Sequence, residues 1–235
     1  MLNNESNENQ VSLIYDGVTK PFSRRKFLGV IGAGSVLLAT AASCKKDNNN
    51  NNNNGGVDLG SGDPGVLNYA YALEQLEAAF YIQVITSPYS GITASEMSYL
   101  TDVRDHEIAH REFFKAALKT AAIQGLTPDF SSINFADRTS VLGTAKAFED
   151  LGVTAYNGAG KLIVNADYLL VAGKIVSVEA RHAATIRDLI SAGSFADMTA
   201  LDANGLDGAR TPNEVLAIAG KYIKETINAS NLPTN

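Results

Sequence analysis

From residue 64 onward, apolar and small residues recur at three- and four-residue spacing in long runs with few breakers. The pattern predicts amphipathic helices over 64–85, 93–122, 137–156 and 167–190, with a shorter fifth over 212–227. Pro88 and Gly91 interrupt the first two segments, and the stretch NGAGKLIVNAD interrupts the third and fourth. Each connection is short enough to make its two helices antiparallel neighbours. The joint over 124–136 is different: it carries Gly125, Pro128, Ser131 and Ser132. Extended at about 3.3 Å per residue, it can cross a bundle lengthwise. The expected fold is all-α, a four-helix bundle with one long crossover and a short C-terminal fifth helix.

The apolar stripes of two helices are interrupted in the same way. On the second segment Leu100, Val103, Phe114 and Ala117 mark the inward face, and the two slots missing from that series hold Glu107 and His110. On the fourth, Ala172, Ile175 or Val176, and Ile186 mark it, and the missing slots hold Glu179 and His182. A Glu-x-x-His pair thus occurs twice in a chain with three histidines. A second near-repeat aligns LEQLEAAFY on the first segment with FEDLGVTAY on the third, superposing Glu74 on Glu149 and Tyr81 on Tyr156. Within each hairpin the glutamates lie about equally far from the turn, so antiparallel packing brings them level. Four carboxylates and two imidazoles are therefore expected in one layer of the core.

Such a cluster calls for cations. Burying one unpaired carboxylate is costly, and four would repel unless protonated or metal-bound. Two divalent ions balance four glutamates, and a mixed carboxylate and imidazole set suits iron or manganese better than thiolate-seeking metals. Paired Glu and Glu-x-x-His ligands are the di-iron or di-manganese arrangement of ferritin-like bundles.

The region 63–228, through LNYAYALEQLEAAFY, HEIAHREFF, FEDLGVTAYNGAGKLI and IVSVEARHAATIRDLI, resembles the ferritin-like domain family that includes secreted bacterial proteins and plant desiccation-related proteins. The resemblance implies that Glu107 and Glu179 bridge two Fe or Mn ions, that His110 and His182 each complete one, and that Glu74 and Glu149 are terminal ligands. Glu77 also lies on the inward series of the first helix, but its counterpart in the repeat is Gly152. It is a candidate extra ligand or outer carboxylate. Tyr81 and Tyr156 either line the site or serve as core aromatics.

The stretch His106-Glu107-Ile108-Ala109-His110 also matches the H-E-x-x-H pattern of zinc metalloproteases. The metzincin extension would need Gly and His where the chain has Phe113 and Ala116. The second copy reads Val178-Glu179-Ala180-Arg181-His182, so the shared element excludes His106, which is expected at the rim of the site.

The N-terminal segment belongs to a different class. Arg24 and Arg25, followed by Phe27-Leu28 and a short Gly/Ala-rich apolar run, read as a twin-arginine export signal over 1–43. Cys44, the one cysteine of 235 residues, follows Ala41-Ala42-Ser43 in the manner of a lipoprotein cleavage box. The Asn/Gly-rich stretch 44–62 cannot bury apolar surface and reads as a tether. A periplasmic or outer-membrane-anchored lipoprotein is the expectation, touching membrane through its anchor alone. The net charge of −6, with basic residues scattered, argues against a nucleic-acid partner. Metal ions and O₂ or peroxide are the expected partners, in oxidase, ferroxidase or peroxidase-type chemistry that protects against oxidative or other stress. A homodimer through a bundle face is compatible with this picture. Two alternatives stand beside it: a non-catalytic envelope protein with a structural metal site, and, more remotely, a zinc protease.

Overall fold

The computed structural model describes residues 56–234. The segment read as an export signal, with Arg24 and Arg25, together with Cys44 and the first part of the expected tether, lies outside the described residues. Four long helices dominate: α1 (Gly62–Thr86), α2 (Ala94–Leu118), α3 (Arg138–Gly160) and α4 (Ala166–Ile190), followed by the short α5 (Pro212–Ala219). Among the described residues no helix is long and apolar enough to cross a membrane.

Local chemistry sets where the helices begin. Thr93 and Glu96 form a reciprocal capping box at α2, and Thr211 and Glu214 form another at α5, with Pro212 in its first turn. Asp137 and Asn165 accept backbone N–H groups at the starts of α3 and α4. Asp63, at the start of α1, instead accepts from the Val164 and Asn165 amides at 2.8 Å, tying that end of α1 to the α3–α4 turn.

The connection between hairpins runs the length of α1. Asn68 bonds the carbonyl of Ala121 and the amide of Ile123, Gln75 accepts from the amide of Leu126, and Phe80 packs against Phe130 and Phe135. The Ser90 amide finally meets the Ala136 carbonyl. Successive crossover residues thus contact successively later residues of α1, as the one-crossover topology requires.

Several expected boundaries move. α2 ends at Leu118, where Lys119 takes φ 54° and starts a 3₁₀ turn. α3 continues through Asn157–Gly160, expected as a break, because Gly158 and Ala159 are buried rather than exposed in a turn. A Cβ on Gly158 would come within 1.8 Å of the Arg210 carbonyl oxygen, so that approach needs glycine. The fifth helix stops at Ala219, and the chain beyond it forms β2 (Ile227–Asn228), parallel to β1 (Val57–Asp58). Residues 57–60, expected in the tether, are consequently part of the domain: Leu59 is fully buried, as is most of Leu232 near the C-terminus. Their apolar side chains join the main core.

Candidate metal centre

The apolar stripes of α1, α2, α3 and α4 meet in the bundle interior, and Glu74, Glu107, Glu149 and Glu179 are completely buried there. His110 and His182 join them, one from α2 and one from α4. The Nδ1 of His110 lies 2.9 Å from Glu179 Oε1, 3.5 Å from Glu74 Oε2 and 3.7 Å from Glu107 Oε2. The Nδ1 of His182 lies 2.9 Å from Glu107 Oε1, 3.3 Å from Glu149 Oε2 and 3.6 Å from Glu179 Oε2. Near-equal distances around two different histidines are the three-dimensional counterpart of the internal repeat.

Two groups able to hold an ion result: Glu74, Glu107, His110 and Glu179, and Glu107, Glu149, Glu179 and His182. Glu107 and Glu179 belong to both, each directing one oxygen toward each histidine.

The hydrogen-bond accounting separates the glutamates further. Tyr81 donates to Glu149 Oε1 at 2.5 Å, and Tyr156 donates to Glu74 Oε1. The other oxygen of Glu74 and of Glu149, both oxygens of Glu107 and Glu179, and the Nδ1 atoms of both histidines have no directed hydrogen bond. Buried polar atoms are rarely left so. Here eight of them face one another, and a pair of cations between them would satisfy the set. The two tyrosines, which the sequence left as either site or core residues, are both: each is buried, and each holds the glutamate of the other hairpin.

The electrostatics follow from this crowding. Burial pushes Glu107 well above the usual carboxylate range, with Glu179 adding to the effect. Burial likewise raises Glu149 to about 7 despite the opposing contact with His182. For Glu179 burial acts upward too, but contact with both histidines outweighs it and holds the group at about 2. Burial disfavours charge on His182, yet its contacts with Glu107, Glu149 and Glu179 push it up to about 12; His110 is raised in the same way.

Glu77 and His106 lie in neither group. Glu77 is buried, with Oε1 only 3.2 Å from where a Cβ of Gly152 would stand, so glycine at the repeat-equivalent position makes the room that the extra carboxylate occupies. Burial and four neighbouring glutamates raise its pKa strongly. His106 sits at the rim, and its Nδ1 is 2.9 Å from Nε2 of His182. The H-E-x-x-H match therefore does not bring His106 and His110 to one ion. His106 faces the back of the other hairpin's histidine instead.

A narrow apolar cavity of about 30 Å³ adjoins the Glu74 side, lined among others by Ala70, Leu73, Phe114, Ala155 and Tyr156. The sequence flagged neither this cavity nor the buried Arg187, which donates twice to Asp150 at 2.7 Å and bonds Asp197 and Thr199. Arg187 pins the segment before α5 to α4, and only its inward helical phase could have signalled it.

No curated protein matches the chain. The model of the ferritin-like domain family matches residues 62–192, which span α1 to the end of α4 and all six clustered residues. That match covers more than half of the sequence and agrees with the bundle and its crossover: the chain belongs to the ferritin-like domain family.

Proposed function

We propose that this is an exported, membrane-anchored ferritin-like protein in which Glu74, Glu107, His110, Glu149, Glu179 and His182 hold two iron or manganese ions. The carrying observation is the division of the carboxylate oxygens. Glu74 and Glu149 each keep one oxygen for a tyrosine and turn one inward, while Glu107 and Glu179 turn both inward, as terminal and bridging ligands would. Two such ions would supply one-electron chemistry with O₂ or peroxide, suited to Fe(II) oxidation or to protection against oxidative stress. The protein's part is to gather four carboxylates in one buried layer, to hold Glu74 and Glu149 through Tyr156 and Tyr81, and to admit small neutral molecules. The apolar cavity beside Tyr156 supports dioxygen over a polar substrate.

Elemental mass spectrometry on the full-length chain, folded in the cytoplasm and purified without chelators, tests this reading. About two Fe or Mn per chain are expected, both lost when Glu107 and Glu179 are replaced by Ala. A well-folded protein without metal would remove the proposal, and a single zinc would return attention to hydrolysis.

The complete burial of all four glutamates also favours a second reading, in which the ions only staple the bundle. Fe(II) oxidation by the wild-type chain against Glu107→Ala separates the two: equal rates leave the structural role.

A further inference from the structure

The two hairpins supply the same ligands but not the same support behind them. His182 turns Nδ1 toward Glu107, Glu149 and Glu179, so its outward nitrogen is Nε2. That nitrogen meets Nδ1 of His106 at 2.9 Å with the ring planes 9° apart. For Nδ1 of His182 to offer a lone pair to a metal, the ring proton must be on Nε2, and His106 Nδ1 is placed to accept it. His106 comes immediately before Glu107 on α2, so the residue that orients His182 is fixed to the helix that carries a shared carboxylate. Among the described residues no side chain makes the equivalent hydrogen bond to the outward nitrogen of His110. The residue before Glu179 is Val178, whose side chain has no polar atom to offer His110. The exposure of the two histidine side chains differs in the same sense, 6% for His182 against 14% for His110.

We propose that His106 is a positioning residue for one metal position alone, so that the His182 half is the tighter one and fills first. This rests on the metal-centre reading above. Outer partners of metal-bound histidines commonly change metal affinity about 10–100-fold when removed. Two nearly symmetric ligand sets, one backed and one not, are therefore expected to separate by about that factor. The match to a protease motif thereby acquires a physical reason: the first histidine of His106-Glu107-Ile108-Ala109-His110 serves His182, not the ion that His110 serves.

The test is a cobalt(II) titration of the metal-free full-length chain, followed by the visible ligand-field bands. The wild-type chain is expected to bind in two resolved steps. His106→Ala should weaken the tighter step about 10–100-fold and leave the weaker one unmoved, and His106→Gln, which keeps an acceptor, should restore much of the difference. In the zinc-loaded, diamagnetic protein, long-range ¹H–¹⁵N correlation should show a hydrogen-bonded Nε2–H on His182 that His106→Ala exposes to exchange. An unchanged tight step in His106→Ala, an equal loss in both steps, or two indistinguishable steps in the wild-type chain would each overturn the proposal. Failure of the wild-type chain to take up any cobalt would remove the metal-centre reading itself, and this inference with it.

Discussion

Tyr156 on α3 donates its hydroxyl to Glu74 on α1, while Tyr81 on α1 donates to Glu149 on α3, so each hairpin orients the glutamate of the other. The exchange couples the halves of the bundle at the level of the cluster. Replacing either tyrosine by Phe leaves a buried carboxylate oxygen without its donor, at a cost of about 1–3 kcal/mol. Thermal unfolding should fall by roughly 3–10 °C. Cobalt affinity should fall as well, and the double variant Tyr81→Phe/Tyr156→Phe should lose more than either single one.

Glu77 is expected to be an outer carboxylate, because both inward groups are complete without it. Glu77→Gln should therefore retain two metal ions per chain, measured by elemental analysis. The same variant should lessen the loss of stability of the metal-free protein as pH rises, since it removes a carboxyl whose ionisation is opposed by burial and by four neighbouring glutamates. Loss of one ion would make Glu77 a ligand.

The metal-free domain should become less stable as pH rises. Glu149 is raised from 4.5 to about 7, so its contribution is fully present below about 4.5 and is lost as pH climbs through 7. Glu107 and Glu77 shift in the same direction. The contribution of His182, raised from 6.5 to about 12, is complete below about 6.5 and declines above it. Glu179 acts oppositely, but its contribution is lost only as pH falls toward about 2. Between about pH 5 and 8, each titrating group contributes up to about 1.4 kcal/mol per pH unit. Melting curves of chelator-treated protein should thus shift downward with pH, and Mn(II) should restore more stability at pH 8 than at pH 5. A flat or rising profile would contradict the burial of ionisable groups described here.

The proposed export and anchoring rest on Arg24, Arg25 and Cys44. Replacing both arginines by lysine should hold the chain in the cytoplasm, and Cys44→Ser should move it from the membrane fraction to the soluble envelope fraction. Immunoblots of fractionated cells read both outcomes, and an unchanged distribution in either variant would remove the corresponding part of the localisation proposal.

The periodicity of the chain carries much of the fold. Helical phase alone places Glu107 and His110, and Glu179 and His182, in the gaps of apolar stripes; Glu107, Glu179 and His182 are buried and His110 is partly so. A strong three-and-four pattern over more than twenty residues leaves little choice of which face turns inward. The long, breaker-rich joint between hairpins likewise predicts the crossover that Asn68, Gln75 and Phe80 receive along α1.

Other features depend on contacts between residues distant in sequence. The end of α3 extends past Asn157 because Gly158 meets the carbonyl of Arg210, a partner that no local propensity names. The strand at Val57–Asp58 forms only because the chain after α5 returns to pair with it. The repeat announces Tyr81 and Tyr156 as equivalent, yet which glutamate each one bonds is decided by how the hairpins cross. His106 looks in sequence like the partner of His110, one helical turn away; the tertiary packing turns it to His182. Spacing along a helix fixes which residues share a face, whereas hydrogen bonds depend on which face of another helix stands opposite. That information arises only when the hairpins close on each other.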